Sequence, residues 1–236
     1  MHPEPTDQIL AERRALLRAI ASAAGAALAA CATTTTARAG DPPAEHGSEP
    51  EVTPGEDLMQ EHGVLERILL VYDEGIRRIE HDEALDPSVI ARAAGIVRRF
   101  VEDYHEKLEE QFVFPRLQAA KREIELVDVL LKQHQRGRVV TGHILELTSA
   151  QKPGAELAQA MRAFNRMYRP HAAREDTVVF PAFRDVVGAG AYGELGEQFE
   201  DREHEVLGKN GFEGAVKQVA ELERALGIYD LAQFTP

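Results

Sequence analysis

Two stretches of this sequence place a glutamate four residues after a histidine and end in Val-Phe-Pro. They are His105-Glu106-Lys107-Leu108-Glu109-Glu110-Gln111-Phe112-Val113-Phe114-Pro115 and His171-Ala172-Ala173-Arg174-Glu175-Asp176-Thr177-Val178-Val179-Phe180-Pro181, 66 positions apart throughout. Four residues along an α-helix make one turn plus about 40°, so each imidazole and its carboxylate point the same way. Imidazole nitrogens and carboxylate oxygens converging on one point form a ligand set for a metal cation. The chain has one cysteine, Cys31, which excludes an internal disulfide and a thiolate zinc site. A metal here is held by N and O ligands.

The elements that position these groups read as helices. Thr53-Pro54-Gly55-Glu56 is a capping box with proline at the first helical position. Leu58, His62, Leu65, Leu69, Tyr72, Ile76 and Ile79 follow at alternating steps of four and three, a continuous stripe interrupted only by the histidine. A second helix from Pro87-Ser88 carries Ala94, Val97, Val101, His105, Leu108 and Phe112 on one face. A third carries Ile124, Val127, Leu131, His134, Thr141, Leu145 and Thr148. The fourth, after Pro153-Gly154, carries Leu157, Met161, Phe164, Tyr168, His171, Glu175, Val178 and Ala182. Four such helices with short connections predict an all-α, up-down-up-down four-helix bundle over residues 53–186. Additional C-terminal helices near 192–207 and 213–226 fall in a 187–236 extension, whose apolar end, Gly227 to Phe234, is expected to pack back on the bundle.

The stripes sort the nine histidines. His62, His105, His134 and His171 lie on buried faces, one per helix, whereas His81 and His143 fall off them and His2 and His46 precede the helices. Glu175 is on the core stripe itself, where an unpaired carboxylate costs several kcal/mol and needs a cation or a proton. Each His-x-x-x-Glu helix follows a helix bearing one core histidine. Two such hairpins folded face to face bring four imidazoles and two carboxylates together, with the glutamates placed to bridge two metal ions. Tyr72, Tyr104 and Tyr168 lie on or beside the core faces as packing, hydrogen-bonding or redox groups.

This ordered set resembles the hemerythrin-like, or HHE cation-binding, family over residues 56–186. That family binds two non-haem irons in a four-helix bundle through a histidine, a His-x-x-x-Glu pair, a third-helix histidine and a second His-x-x-x-acid pair. The resemblance implies two iron ions as the cofactor and His62, His105, Glu109, His134, His171 and Glu175 as the ligands. Glu106, as the analogous His-Glu pair supplies in some members, and His204, from the fifth helix, are further candidates. Oxygen-carrying hemerythrins place a second histidine four residues after the third-helix one; this chain has Arg138 there. The residues alone leave zinc and manganese open, since affinity order does not select iron. A ferritin-like centre needs two Glu-x-x-His motifs, and only Glu102-x-x-His105 fits.

Two functions are therefore expected: binding or sensing of oxygen, nitric oxide or iron, or a di-iron redox enzyme reducing peroxide or nitric oxide. The partner in each is a small diatomic or peroxide ligand. A net charge of −13 argues against nucleic acid as a partner. Residues 1–30 resemble an export signal. Arg13-Arg14-Ala15-Leu16-Leu17-Arg18 looks like a twin-arginine signature, and Leu28-Ala29-Ala30-Cys31 looks like a lipobox after a short apolar run. Residues 31–52, rich in Thr, Pro, Gly, Ser and Glu, read as a flexible tether. The expected location is the periplasm or cell envelope, with membrane contact only through a lipid on Cys31.

Overall fold

The computed structural model describes residues 52–149, 154–208 and 210–236. The expected export signal, and the expected tether up to residue 51, lie outside the described residues. Six helices follow, with no strand among the described residues. Helix α1 is Pro54–Glu80, opened by the expected capping box: the Thr53 hydroxyl accepts from the Glu56 amide, and the Glu56 carboxylate accepts from the Thr53 amide. Helix α2 runs over residues 87–119, capped by Asp86, whose side chain accepts from the Ser88 amide. Helix α3 is Ile124–Thr148. Helix α4 runs over residues 155–187.

Neighbouring helices in sequence pack side by side, and α4 returns against α1 to close the bundle. The apolar stripes meet in one core that buries Leu58, Leu65, Leu69 and Tyr72 of α1 and Phe164 and Tyr168 of α4, with Tyr72 edge-on to Phe164. Helix α5 (Ala189–Leu207) covers α2 and the end of α4, and α6 (Gly211–Leu226) lies on α1 and α2. The paired hydrogen bonds from Arg67 to Glu223 (2.9 and 2.5 Å) tie α6 to α1. Tyr192 of α5 accepts from the Gly55 amide at 3.0 Å, and a Cβ on Gly55 would lie 2.5 Å from its hydroxyl.

The predicted faces need two corrections. Helices α2 and α4 are not uniform: α2 is π-wound over Val97–His105, and each helix contains a wide π turn beginning at the motif glutamate, Glu109–Val113 and Glu175–Val179. In each turn the amide of the following phenylalanine, Phe114 or Phe180, bonds the glutamate carbonyl five residues back. The cause is local: Pro115 and Pro181 lack an N–H and crowd the carbonyl four residues earlier, and a π turn absorbs that misfit. The extra residue advances the register by one. Val113 and Val179 are therefore fully buried, while the expected Phe112 and Val178 are half-buried. The second correction concerns the ends of the stripes. Ile124 is exposed at the start of α3, where Glu123 adopts a left-handed conformation. Of the apolar C-terminal run only Ile228 packs against the core; Leu231 and Phe234 stay exposed, and Tyr229 lies under the Arg224 guanidinium.

Candidate metal centre

The structure brings the six principal candidates together. His62 of α1, His105 and Glu109 of α2, His134 of α3, and His171 and Glu175 of α4 are all buried. Their ligand-type atoms form two groups, His62–His105–Glu109 and His134–His171–Glu175, each with its atoms within 4.8 Å of one another. The carboxylates span the two groups. Glu109 lies 3.7 Å from His105 Nε2 and 3.4 Å from His134 Nε2. Glu175 lies 3.0 Å from His171 Nε2, 3.4 Å from His62 Nε2 and 3.9 Å from His134 Nε2.

Every imidazole is oriented by a partner behind it. His105 Nδ1 faces Glu61 at 2.6 Å and His62 Nδ1 faces Asp176 at 2.7 Å. His134 Nδ1 faces Glu110 at 3.2 Å and His171 Nδ1 faces Gln133 at 2.8 Å. With an oxygen behind each ring, the neutral tautomer that keeps its proton on Nδ1 leaves Nε2 free toward the centre, the form a metal ligand needs. The set follows the internal repeat. Glu61 and Gln133 each precede a core histidine, and Glu110 and Asp176 each follow a motif glutamate. Sequence reasoning missed all four as supporting groups. The signal lay in the repeat itself, which keeps an acid after each glutamate.

A cation fits this site on the polar atoms present. Neither oxygen of Glu109 or Glu175 has a hydrogen-bond partner, nor does His134 Nε2, although all are buried. His62 Nε2 and His105 Nε2 are 3.0 Å apart, an arrangement that calls for a proton or a cation between them. Electrostatics in the cation-free site agree. Burial works against a charged His62, yet Asp176 and Glu175 raise its pKa to about 10. Burial likewise opposes charge on His134, which Glu109 and Glu110 raise to about 10. Burial, then the Glu175 charge, raises Glu109. His105 goes the other way, burial holding it down at about 4; without a metal the protons therefore sit on His62 and His134.

Of the two further candidates, one lies away from the centre and one beside it. His204 is exposed on α5 and joins none of the ligand groups, because the stripe that α5 turns inward is Tyr192, Leu195 and Phe199. Glu106 is buried next to the centre but already engaged: it accepts from the Tyr168 hydroxyl at 2.6 Å and pairs with Arg138 at 2.6 Å. Arg138 also donates to Glu110 at 2.7 Å, so its guanidinium supplies the positive charge for the grouping of Glu106, Glu110 and His134. Tyr72 and Tyr104 are core residues, the Tyr104 hydroxyl beside Glu61. His81 and His143 are exposed, as expected from the stripes.

Comparison with known proteins agrees with this geometry. The family profile described as the hemerythrin HHE cation binding domain matches residues 53–183. Uncharacterized proteins of Mycobacterium tuberculosis and Mycobacterium bovis are 49% identical over 237 aligned residues, covering 95% of this chain and 91% of each relative. No solved structure matches the chain.

Proposed function

This chain belongs to the hemerythrin HHE cation-binding family, and from that premise we propose that it holds two non-haem iron ions and binds or senses a small molecule: oxygen, nitric oxide or iron itself. One observation carries the reading. Four imidazoles, each with a carboxyl or amide oxygen at its Nδ1, converge on two buried carboxylates that no hydrogen bond satisfies. His62 and His105 would hold one ion and His134 and His171 the other, with Glu109 and Glu175 spanning both. Bound iron supplies Lewis acidity and one-electron chemistry at this point. The protein's own part is orientation, through Glu61, Asp176, Glu110 and Gln133, and exclusion of water by the surrounding aromatic rings. His62 stacks on Phe180 and His134 on Phe114, with centroids 5.5 Å apart in each case.

A second reading, a redox enzyme that reduces peroxide or nitric oxide, is favoured by Arg138. The family's oxygen carriers have a ligating histidine at that helical position. Here the side chain is a guanidinium committed to Glu106 and Glu110, so six ligands serve two ions. Fewer ligands favour turnover. The two readings separate by spectroscopy on the iron-loaded chain under anaerobic conditions. A spectrum that changes on adding oxygen or nitric oxide and returns on its removal supports binding. Sustained consumption of added peroxide supports the enzyme. An iron-loaded chain indifferent to all three contradicts both.

The leader belongs to the same proposal. A twin-arginine signal carries folded, loaded proteins, and a lipid on Cys31 would then anchor the domain at the cell envelope through residues 31–52. Membrane association that survives Cys31→Ser would contradict the lipid.

A further inference from the structure

We propose that the two metal positions are unequal: the His62–His105 position is the tight, electron-rich one and the His134–His171 position is the weaker, exchangeable one. The inference rests on the two-ion reading above. The six candidate ligands repeat by the internal symmetry, but the groups behind them do not.

Behind the first position both imidazoles face carboxylates, Glu61 on His105 (2.6 Å) and Asp176 on His62 (2.7 Å). Among the described residues neither acid has a lysine or arginine within ion-pair distance; Glu61 has the Tyr104 hydroxyl as a further neighbour. Behind the second position, Gln133 at the place of Glu61 gives His171 a neutral amide oxygen at 2.8 Å. The acid at the place of Asp176 is Glu110, 3.2 Å from His134, and it is shared with Lys107 (2.5 Å) and Arg138 (2.7 Å). Arg138 also pairs with Glu106. The first position thus has two carboxyl groups behind it that no lysine or arginine offsets. The second has two carboxylates offset by two cations.

A carboxylate accepting the Nδ1 proton makes the opposite nitrogen a stronger donor, and an amide does so less. Arg138 and Lys107 further oppose a cation at the second position. Both effects run the same way. The position backed by Glu61 and Asp176 therefore binds its ion more tightly and favours the higher oxidation state. Glu61 and Gln133 are positioning residues that set this difference through His105 and His171.

Anaerobic titration of the metal-stripped full chain with Co(II), followed by its visible absorption, tests this. The wild-type chain should fill in two steps at least tenfold apart. Glu61→Gln should weaken the first step, by about tenfold to a hundredfold. Gln133→Glu should tighten the second step and leave the first unchanged. Repulsion between ions at two equivalent positions also separates the steps, but with the opposite pattern: Glu61→Gln would then weaken the second step and Gln133→Glu would tighten the first. That pattern, or no change in either variant, overturns the inference alone. Uptake of fewer than two ions by the wild-type chain overturns the two-ion reading and the inference with it.

Discussion

Glu109 and Glu175 are buried with no hydrogen-bond donor on any of their four oxygens. Leaving such groups uncompensated costs several kcal/mol, far more than a surface ion pair returns. Glu175→Ala should therefore abolish most metal uptake, whereas His143→Ala, on an exposed histidine, should leave it intact; metal analysis of both purified variants checks this. Proton linkage provides a second test. His62 and His134 are raised to about 10, so both are protonated at neutral pH before metal enters, and ligation requires them neutral. Metal uptake at pH 7 should release protons into a weakly buffered solution. Affinity should fall as pH is lowered and rise toward pH 10; a pH-independent affinity with no proton release would contradict the assignment. At this scale the sequence was informative for ligands and poor for their supports. A histidine on an apolar stripe stands out, but Glu61 and Gln133 look like ordinary helix polar residues until the fold turns them toward His105 and His171.

Helix existence and the buried faces follow from periodicity at the element scale, because a 3.6-residue repeat and a capping box are local properties. The π turns do not follow from it. They arise where Pro115 and Pro181 interrupt the hydrogen-bond ladder, and only the three-dimensional packing decides whether a helix kinks, ends or widens there. The register shift can be tested directly. Val179→Ala should destabilise the fold by about 2 kcal/mol, since it removes fully buried methyl groups. Val178→Ala should cost less than half of that, and denaturant unfolding of the two variants measures both. A uniform α-helix through this segment predicts the reverse order. Gly137 is a second element-level constraint. A Cβ there would lie 2.0 Å from the Tyr168 hydroxyl, so Gly137→Ala should displace Tyr168 from Glu106 and lower stability by about 1–3 kcal/mol.

For the molecule as a whole, the internal repeat explains how one chain builds a near-symmetric centre, and α5 and α6 cover the flank of the bundle formed by α1 and α2. The half-buried Arg67–Glu223 pair fixes that cover. Arg67→Ala leaves Glu223 without its donor and should cost about 1–3 kcal/mol by thermal unfolding, whereas Leu231→Ser in the exposed C-terminal run should be close to neutral. That run misled the sequence reading because apolar composition does not say whether a surface remains to receive it. The account's central claim is a two-ion centre made by six residues on four helices, and counting iron per chain in the purified, iron-loaded protein tests it most directly. The claim predicts two iron ions per chain. One ion, or none, would contradict it.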